Sequence, residues 1–186
     1  MIHSFSRSFG RVTLKPLMKG DIEKLRILRN MPDNRKWFIH SNIISSQDQV
    51  NWFKRYLSSN DDIMFSVFER SNSNKFIGAV ALYNIDVKDL SAEFGRLIID
   101  SKNTIERGLG YDTTMCALEI GFKSLNFEKI HLEVFSDNYT ALKIYEKAGF
   151  KKISDGFTEE IIYMEIEKWR YLLHGNSIIQ TNISHI

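Results

Sequence analysis

The chain has 186 residues and a formal net charge of +2, with 43% hydrophobic and 12% aromatic residues. That length encloses one core of ordinary size, and the composition excludes a disordered chain. The small charge excludes the basic footprint of a nucleic-acid-binding protein, and no apolar run reaches the roughly 20 residues that span a bilayer.

The opening residues Met1 to Arg7 lack the long apolar segment of a signal peptide, so the expected location is cytoplasmic. The single cysteine, Cys116, has no partner for an internal disulfide and reads as a small buried thiol beside the apolar stripe of a helix. The histidines have no metal-ligand spacing, and no metal is expected.

Arg11 to Leu17 alternates polar and apolar residues and carries Pro16, the pattern of an edge strand. A helix starts at Gly20-Asp21, buries Ile22, Leu25 and Leu28, and stops at Asn30 to Asp33. Trp37, Phe38 and Ile39 follow without a period; the two aromatics either cover core or line a pocket. Ser46 and Gln49 have capping-box spacing, and Val50, Phe53 and Leu57 mark the inner face of a second helix flanked by Trp52 and Tyr56. Ile63 to Glu69 and Lys75 to Tyr83 read as a strand and its returning, central partner, whose Gly78, Ala79 and Ala81 suggest a close neighbour. Ser91 to Asp100 reads as a strand with Glu93, Gly95, Leu97 and Ile99 on one face, so Glu93 either lines a cavity or has a partner.

Next come Arg107, Gly108 and Gly110, directly before a helix in which Tyr111, Met115, Leu118, Phe122 and Leu125 recur at helical spacing. Free N–H groups, the helix dipole and a nearby cation make this stretch either a phosphate cradle or a plain glycine-containing connection. Lys129 to Phe135 is another strand. Ser136-Asp137-Asn138 starts a helix with Ala141, Tyr145 and Ala148 on one face, closed by Gly149. Two strands joined near Asp155-Gly156 follow; Trp169, Leu172 and Leu173 mark a short helix, and the tail from Gly175 reads as mobile or docked on a partner. The order is that of a mixed α/β or α+β domain.

Three segments in this order resemble the GCN5-related N-acetyltransferase (GNAT) superfamily. Arg107-Gly108-Leu109-Gly110-Tyr111-Asp112 is similar to its R/Q-x-x-G-x-G/A acyl-CoA loop. Asn138 to Phe150 is similar to its N-x-x-A-x-x-x-Y-x-x-x-G-F segment, and Ala92 to Ile99 stands in the place of its pantetheine-holding strand. The resemblance covers residues 10–168 and implies the GNAT fold, a mostly antiparallel twisted sheet of about six or seven strands flanked by about four helices. It implies acetyl-CoA as co-substrate, with pyrophosphate on the backbone of Arg107, Gly108, Leu109, Gly110, Tyr111 and Asp112, pantetheine along Leu97, Ile98 and Ile99, and Asn138 near the thioester. Tyr145 would protonate the leaving thiolate, the alternative being a core tyrosine; Glu93 would be the base, the alternative being an orienting carboxylate. Asp112 departs from the motif's usual Gly or Ala and would repel a phosphate unless it points away.

The N-terminal half is similar to the branch that acetylates amino groups of nucleotide-linked deoxysugars, with Trp37 and Trp52 stacking on sugar or base and Arg29 or Arg35 meeting the diphosphate. The expected partner is a small-molecule amine such as a sugar nucleotide, with a monomer or homodimer as the assembly. A ribosomal-protein-type Nα-acetyltransferase and a non-catalytic acyl-CoA-binding module are the alternatives.

Overall fold

The protein is described here by a computed structural model covering residues 3–155 and 160–173. Eight strands form one sheet in the order β1-β2-β3-β4-β5-β6-β8-β7. β1 (Arg7–Phe9), β2 (Val12–Pro16), β3 (Asp62–Glu69), β4 (Lys75–Asp86) and β5 (Ser91–Ile99) pair antiparallel in chain order. β6 (Lys129–Phe135) joins β5 in parallel, and β8 (Ile161–Glu167) pairs antiparallel between β6 and β7 (Lys151–Asp155). This is the expected mixed, mostly antiparallel class with one more strand. The addition is β1, whose three residues are too short for a periodic signal. It makes β2 interior and not the expected edge strand; Pro16 is tolerated as the last residue of β2, opposite Phe65.

Helices cover both faces. On one, α1 (Ile22–Asn30), the single turn α2 (Pro32–Arg35) and α3 (Ser46–Ser58) bring Leu25, Leu28, Phe53 and Tyr56 onto Met64, Ala79, Ala81 and Ile98. On the other, α4 (Leu109–Glu119) and α5 (Tyr139–Ala148) close a core with Phe65, Leu82, Phe94 and Ile130. The cap of α3 lies one residue earlier than expected: Ser45 and Asp48 form the reciprocal capping box. Its inner face carries Gln49, Phe53 and Tyr56, whereas Val50 and Leu57, expected inside, are 37% and 38% exposed. The stack of Trp52 on Tyr56 offers more apolar area to the core than Val50 and Leu57, and that decides the rotation.

Residues 168–173 are helical as expected, but Tyr171 is the side chain they bury, against Phe122, while Trp169, Leu172 and Leu173 stay exposed. The turn expected after Asp155 and the tail 175–186 lie outside the described residues. No helix among the described residues is long and apolar enough to cross a membrane.

The sheet parts in the middle. β5 and β6 pair only over Ser91–Glu93 and Lys129–His131, and no strand among the described residues takes up that edge of β5 from Phe94 onward. A bulge accompanies the parting: Ala79 faces Ile98 and Ala81 faces Gly95, so Arg96 and Leu97 together oppose Val80, and Arg96 has a left-handed φ of 52°. The bulge reverses the side-chain alternation. Ile98 packs in the α1–α3 layer, while Leu97 and Ile99 pack in the α4–α5 layer with Ala92 and Phe94. The expected common face of Glu93, Gly95, Leu97 and Ile99 therefore ends at Gly95. Gly78 makes the bulge possible, because a Cβ there would collide with the Ile98 carbonyl oxygen.

Candidate active site

The V between β5 and β6 opens into a cleft of about 1020 Å³. It extends from the loop before α4, along Phe94 to Ile99, to the space under α1, α2 and α3. Arg29, Trp37, Trp52, Glu93, Leu97, Ile98, Ile99, Asn138 and Tyr145 all line it, as do Arg107, Gly108, Leu109 and Gly110. Tyr111 and Asp112 do not.

At the α4 end, Gly108 occupies the N-cap position with φ 74°, a conformation that suits glycine. The N–H groups of Tyr111 and Asp112 already donate to the Gly108 carbonyl, at 3.1 and 3.4 Å. The N–H groups from Arg107 to Gly110 have no backbone acceptor among the described residues, so the cradle is shorter than the expected stretch to Asp112. Asp112 is 5% exposed and turned back toward the β1–β2 turn. Its carboxylate accepts from Arg11 Nε at 2.7 Å, Arg11 Nη2 at 3.2 Å and the Arg11 backbone N–H at 3.0 Å. The acid that threatened to repel a phosphate is thus matched by a cation, whose guanidinium lies against Gly108 and whose pKa the carboxylate raises.

The segment leading into that loop has its own anchor. Glu69, fully buried at the end of β3, accepts the N–H groups of Ile105 and Glu106 at 2.9 and 2.7 Å and the Asn72 amide at 3.0 Å. Sequence reading singled out neither Arg11 nor Glu69. Their partners lie 101 and 36 residues away, beyond any local spacing rule.

Midway along the cleft, Tyr145 is 8% exposed and stands edge-on to Phe94 and Phe150, with ring centroids 5.7 and 5.9 Å away. Burial pushes its phenol pKa well up, and its hydroxyl has no hydrogen-bond partner among the described residues. Glu93 accepts a short hydrogen bond from the Tyr83 hydroxyl and another from the Asn84 amide at 2.8 Å. Both readings of Glu93 therefore hold at once: it lines a cavity and it has partners. Gly95 makes room for this pair, since a Cβ there would stand 2.9 Å from the Tyr83 hydroxyl. Asn138 caps α5, its Oδ1 accepting the Ala141 N–H at 3.2 Å, which leaves its NH2 group to the cleft.

Under α1–α3, Arg29 lies 3.4 Å from the centroid of the Phe38 ring and has no carboxylate partner among the described residues. Burial and then the like charge of Arg96 lower its pKa to about 10. Arg96 itself is bridged to Asp62 at 2.7 Å. Trp52 stacks on Tyr56 and so covers the α1–α3 core with one side, Trp37 leans on Phe135 and packs against neither core, and both line the cleft. Among the described residues no group of His, Cys, Asp and Glu could hold a metal.

Comparison with known proteins agrees with this geometry. Residues 11–151 match the acetyltransferase (GNAT) domain family. The chain belongs to the GNAT family. The spermidine N(1)-acetyltransferase of Vibrio cholerae is 32% identical over 147 residues, 76% of this chain and 79% of that protein. The structure of a V. cholerae spermidine N-acetyltransferase with CoA and spermine has a TM-score of 0.77 at 25% identity, covering 87% of this chain and 98% of that one. FdhC, described as a nucleotide-linked sugar GNAT, has the same fold in its apo form, with a TM-score of 0.79 at 24% identity over 95% of this chain and 98% of that one.

As a GNAT enzyme the chain is an N-acetyltransferase that takes its acetyl group from acetyl-CoA. Two observations of this structure fit that donor: the unpaired edge of β5 beyond Glu93, and the unpaired N–H groups from Arg107 to Gly110.

Proposed function

We propose that this GNAT enzyme acetylates the amino group of a nucleotide-linked amino-deoxysugar. The observation that carries the reading is Arg29, a half-buried guanidinium in the acceptor half of the cleft with no acid beside it among the described residues. A diphosphate supplies the missing counter-charge in bidentate fashion, whereas a polycation is repelled. Trp37 and Trp52 offer ring surface to a sugar or base.

In this reading the N–H groups from Arg107 to Gly110 hold the CoA pyrophosphate, with the exposed Arg107 adding charge. Backbone of Leu97, Ile98 and Ile99 pairs with the pantetheine amides, and the Asn138 NH2 group steadies the arm near the thioester. Bound acetyl-CoA supplies an activated acetyl carbon, which the acceptor amine attacks directly. Glu93 draws the amine's proton, directly or through water, while Tyr83 and Asn84 hold its carboxylate in place. Tyr145, its proton secured by burial, donates a hydrogen bond to the departing sulfur.

A polyamine acceptor is the second reading, favoured by the name of the 32% identical relative and by Glu93 and Glu133 in the cleft. Turnover of acetyl-CoA with a TDP-linked 4-amino-4,6-dideoxyhexose, with spermidine and with N-terminal peptides separates these classes. Turnover confined to spermidine or to peptides sinks the sugar-nucleotide reading, and no thiol release with any amine leaves a binding module. Arg29→Met should raise the KM for the sugar nucleotide roughly tenfold or more, the size of a lost charge-assisted contact, and leave the KM for acetyl-CoA unchanged.

A further inference from the structure

Among the described residues, most buried polar side chains are engaged elsewhere; Ser91 and Thr113 have no side-chain hydrogen bond, but neither lines the cleft. Asp21 accepts from Ser66, Glu69 from the loop before α4, Asp112 from Arg11, and Thr114 donates to the Gly110 carbonyl. Gln49 is different. It is 4% exposed on the inner face of α3, it lines the cleft, and its side-chain amide has no hydrogen-bond partner among the described residues. Its backbone N–H, in the first turn of α3, donates to the Ser45 carbonyl at 3.0 Å. One helical turn on, Trp52 lines the same wall, and Arg29 and Glu93 line the same cleft.

The polar atoms of the Gln49 amide are open to the cleft although the residue is buried, and the space beside them is the acceptor's. The amide offers two N–H donors and a carbonyl acceptor, so it can both donate to and accept from a hydroxyl, whereas a methylene gives it nothing. We propose that Gln49 determines acceptor specificity by hydrogen-bonding a hydroxyl that the acceptor carries near its reacting amine. This rests on the acceptor entering beneath α1–α3, as in the sugar-nucleotide reading, and it names the part of such a molecule that the wall of α3 recognises. Arg29 takes the charged end and Gln49 the neutral, hydroxylated end.

The test uses pairs of acceptors that differ by one hydroxyl: a TDP-linked 4-amino-4,6-dideoxyhexose against its 3-deoxy counterpart, and a hydroxylated triamine against spermidine. Each pair is assayed with the wild type and with Gln49→Met, which keeps the side chain's length and removes its polar atoms. The wild type should favour the hydroxylated member by roughly tenfold in kcat/KM, because a site built to bond a hydroxyl penalises its absence. Gln49→Met should reduce that preference to within about twofold, keep the KM for acetyl-CoA, and melt close to the wild-type temperature, since the amide holds no other part of the fold among the described residues. Calorimetric binding of the hydroxylated acceptor should weaken in parallel. A preference that survives in Gln49→Met, or no preference in the wild type with either pair, overturns the proposal. So does a Gln49→Met protein that melts well below the wild type, because the amide then serves the fold. The two pairs separate this outcome from the acceptor class: activity on triamines alone defeats the sugar-nucleotide reading while the hydroxyl preference of Gln49 is still read on the triamine pair.

Discussion

Tyr145 and Glu93 illustrate how the environment of one side chain sets its use. The Tyr145 phenol sits among Phe94 and Phe150, and the resulting rise in its pKa means that it keeps its proton throughout the neutral and mildly alkaline range. It is thus suited to donate a hydrogen bond to sulfur and unsuited to act as a base. Tyr145→Phe should lower kcat by about 10²–10⁴ with little change in either KM, as expected for a lost acid. Its melting temperature should match the wild type, because the hydroxyl has no partner to lose among the described residues. A fall in stability without a fall in kcat would return Tyr145 to the core. Glu93 differs in having both oxygens engaged, by Tyr83 and Asn84. Tyr83→Phe should therefore lower kcat/KM and shift the acidic limb of its pH profile, while a purely structural role would leave that limb in place.

At the scale of elements, the phosphate loop is held by contacts that come from other strands. Glu69 at the end of β3 fixes Ile105 and Glu106, and Arg11 after the β1–β2 turn fixes Asp112. Glu69→Ala leaves the loop N–H groups unpaired in a partly buried setting. It should cost about 1–3 kcal/mol in stability and raise the KM for acetyl-CoA, with the acceptor KM unmoved. Asp112→Ala should also cost about 1–3 kcal/mol; Arg11 remains partly solvated, which keeps the loss below that of a fully buried pair. Denaturant titration and CoA binding measure both. The bulge in β5 works at the same scale: by reversing the alternation after Gly95 it sends Ile98 to one core and Leu97 and Ile99 to the other, and it accompanies the parting from β6 that opens the cleft.

For the whole molecule, a buried histidine, His3, and a half-buried one, His131, make stability depend on pH. His3 donates from Nε2 to the Met64 carbonyl at 2.9 Å, while its buried Nδ1 has no partner among the described residues. Burial lowers its pKa from 6.5, and burial likewise lowers that of His131. Between the unfolded and folded values the unfolded chain binds the extra proton, so stability rises with pH across that window. The contribution is complete above pH 6.5 and is lost as pH falls through the folded value. The urea midpoint should be level above pH 7 and decline below about pH 6.5, and His3→Phe should flatten part of that decline.

The residues that were legible in the sequence act through neighbours close in the chain. The glycines before α4, the Asn138 cap, the Tyr145 face of α5 and the Gly149 stop follow from spacings of one to a few turns, and the family motifs lie on them. What only the tertiary structure decided involves partners far apart or a change of phase. Asp112 turned from an obstacle into half of an ion pair because Arg11 is 101 residues away; the face of α3 shifted to Gln49 because aromatic stacking outweighed Val50 and Leu57; and the strand of Glu93 changed faces at a bulge no alternation rule contains. Helical periodicity and turn chemistry are local, whereas the pairing of buried charge and the rotation of a packed helix are settled by whatever the rest of the fold brings alongside.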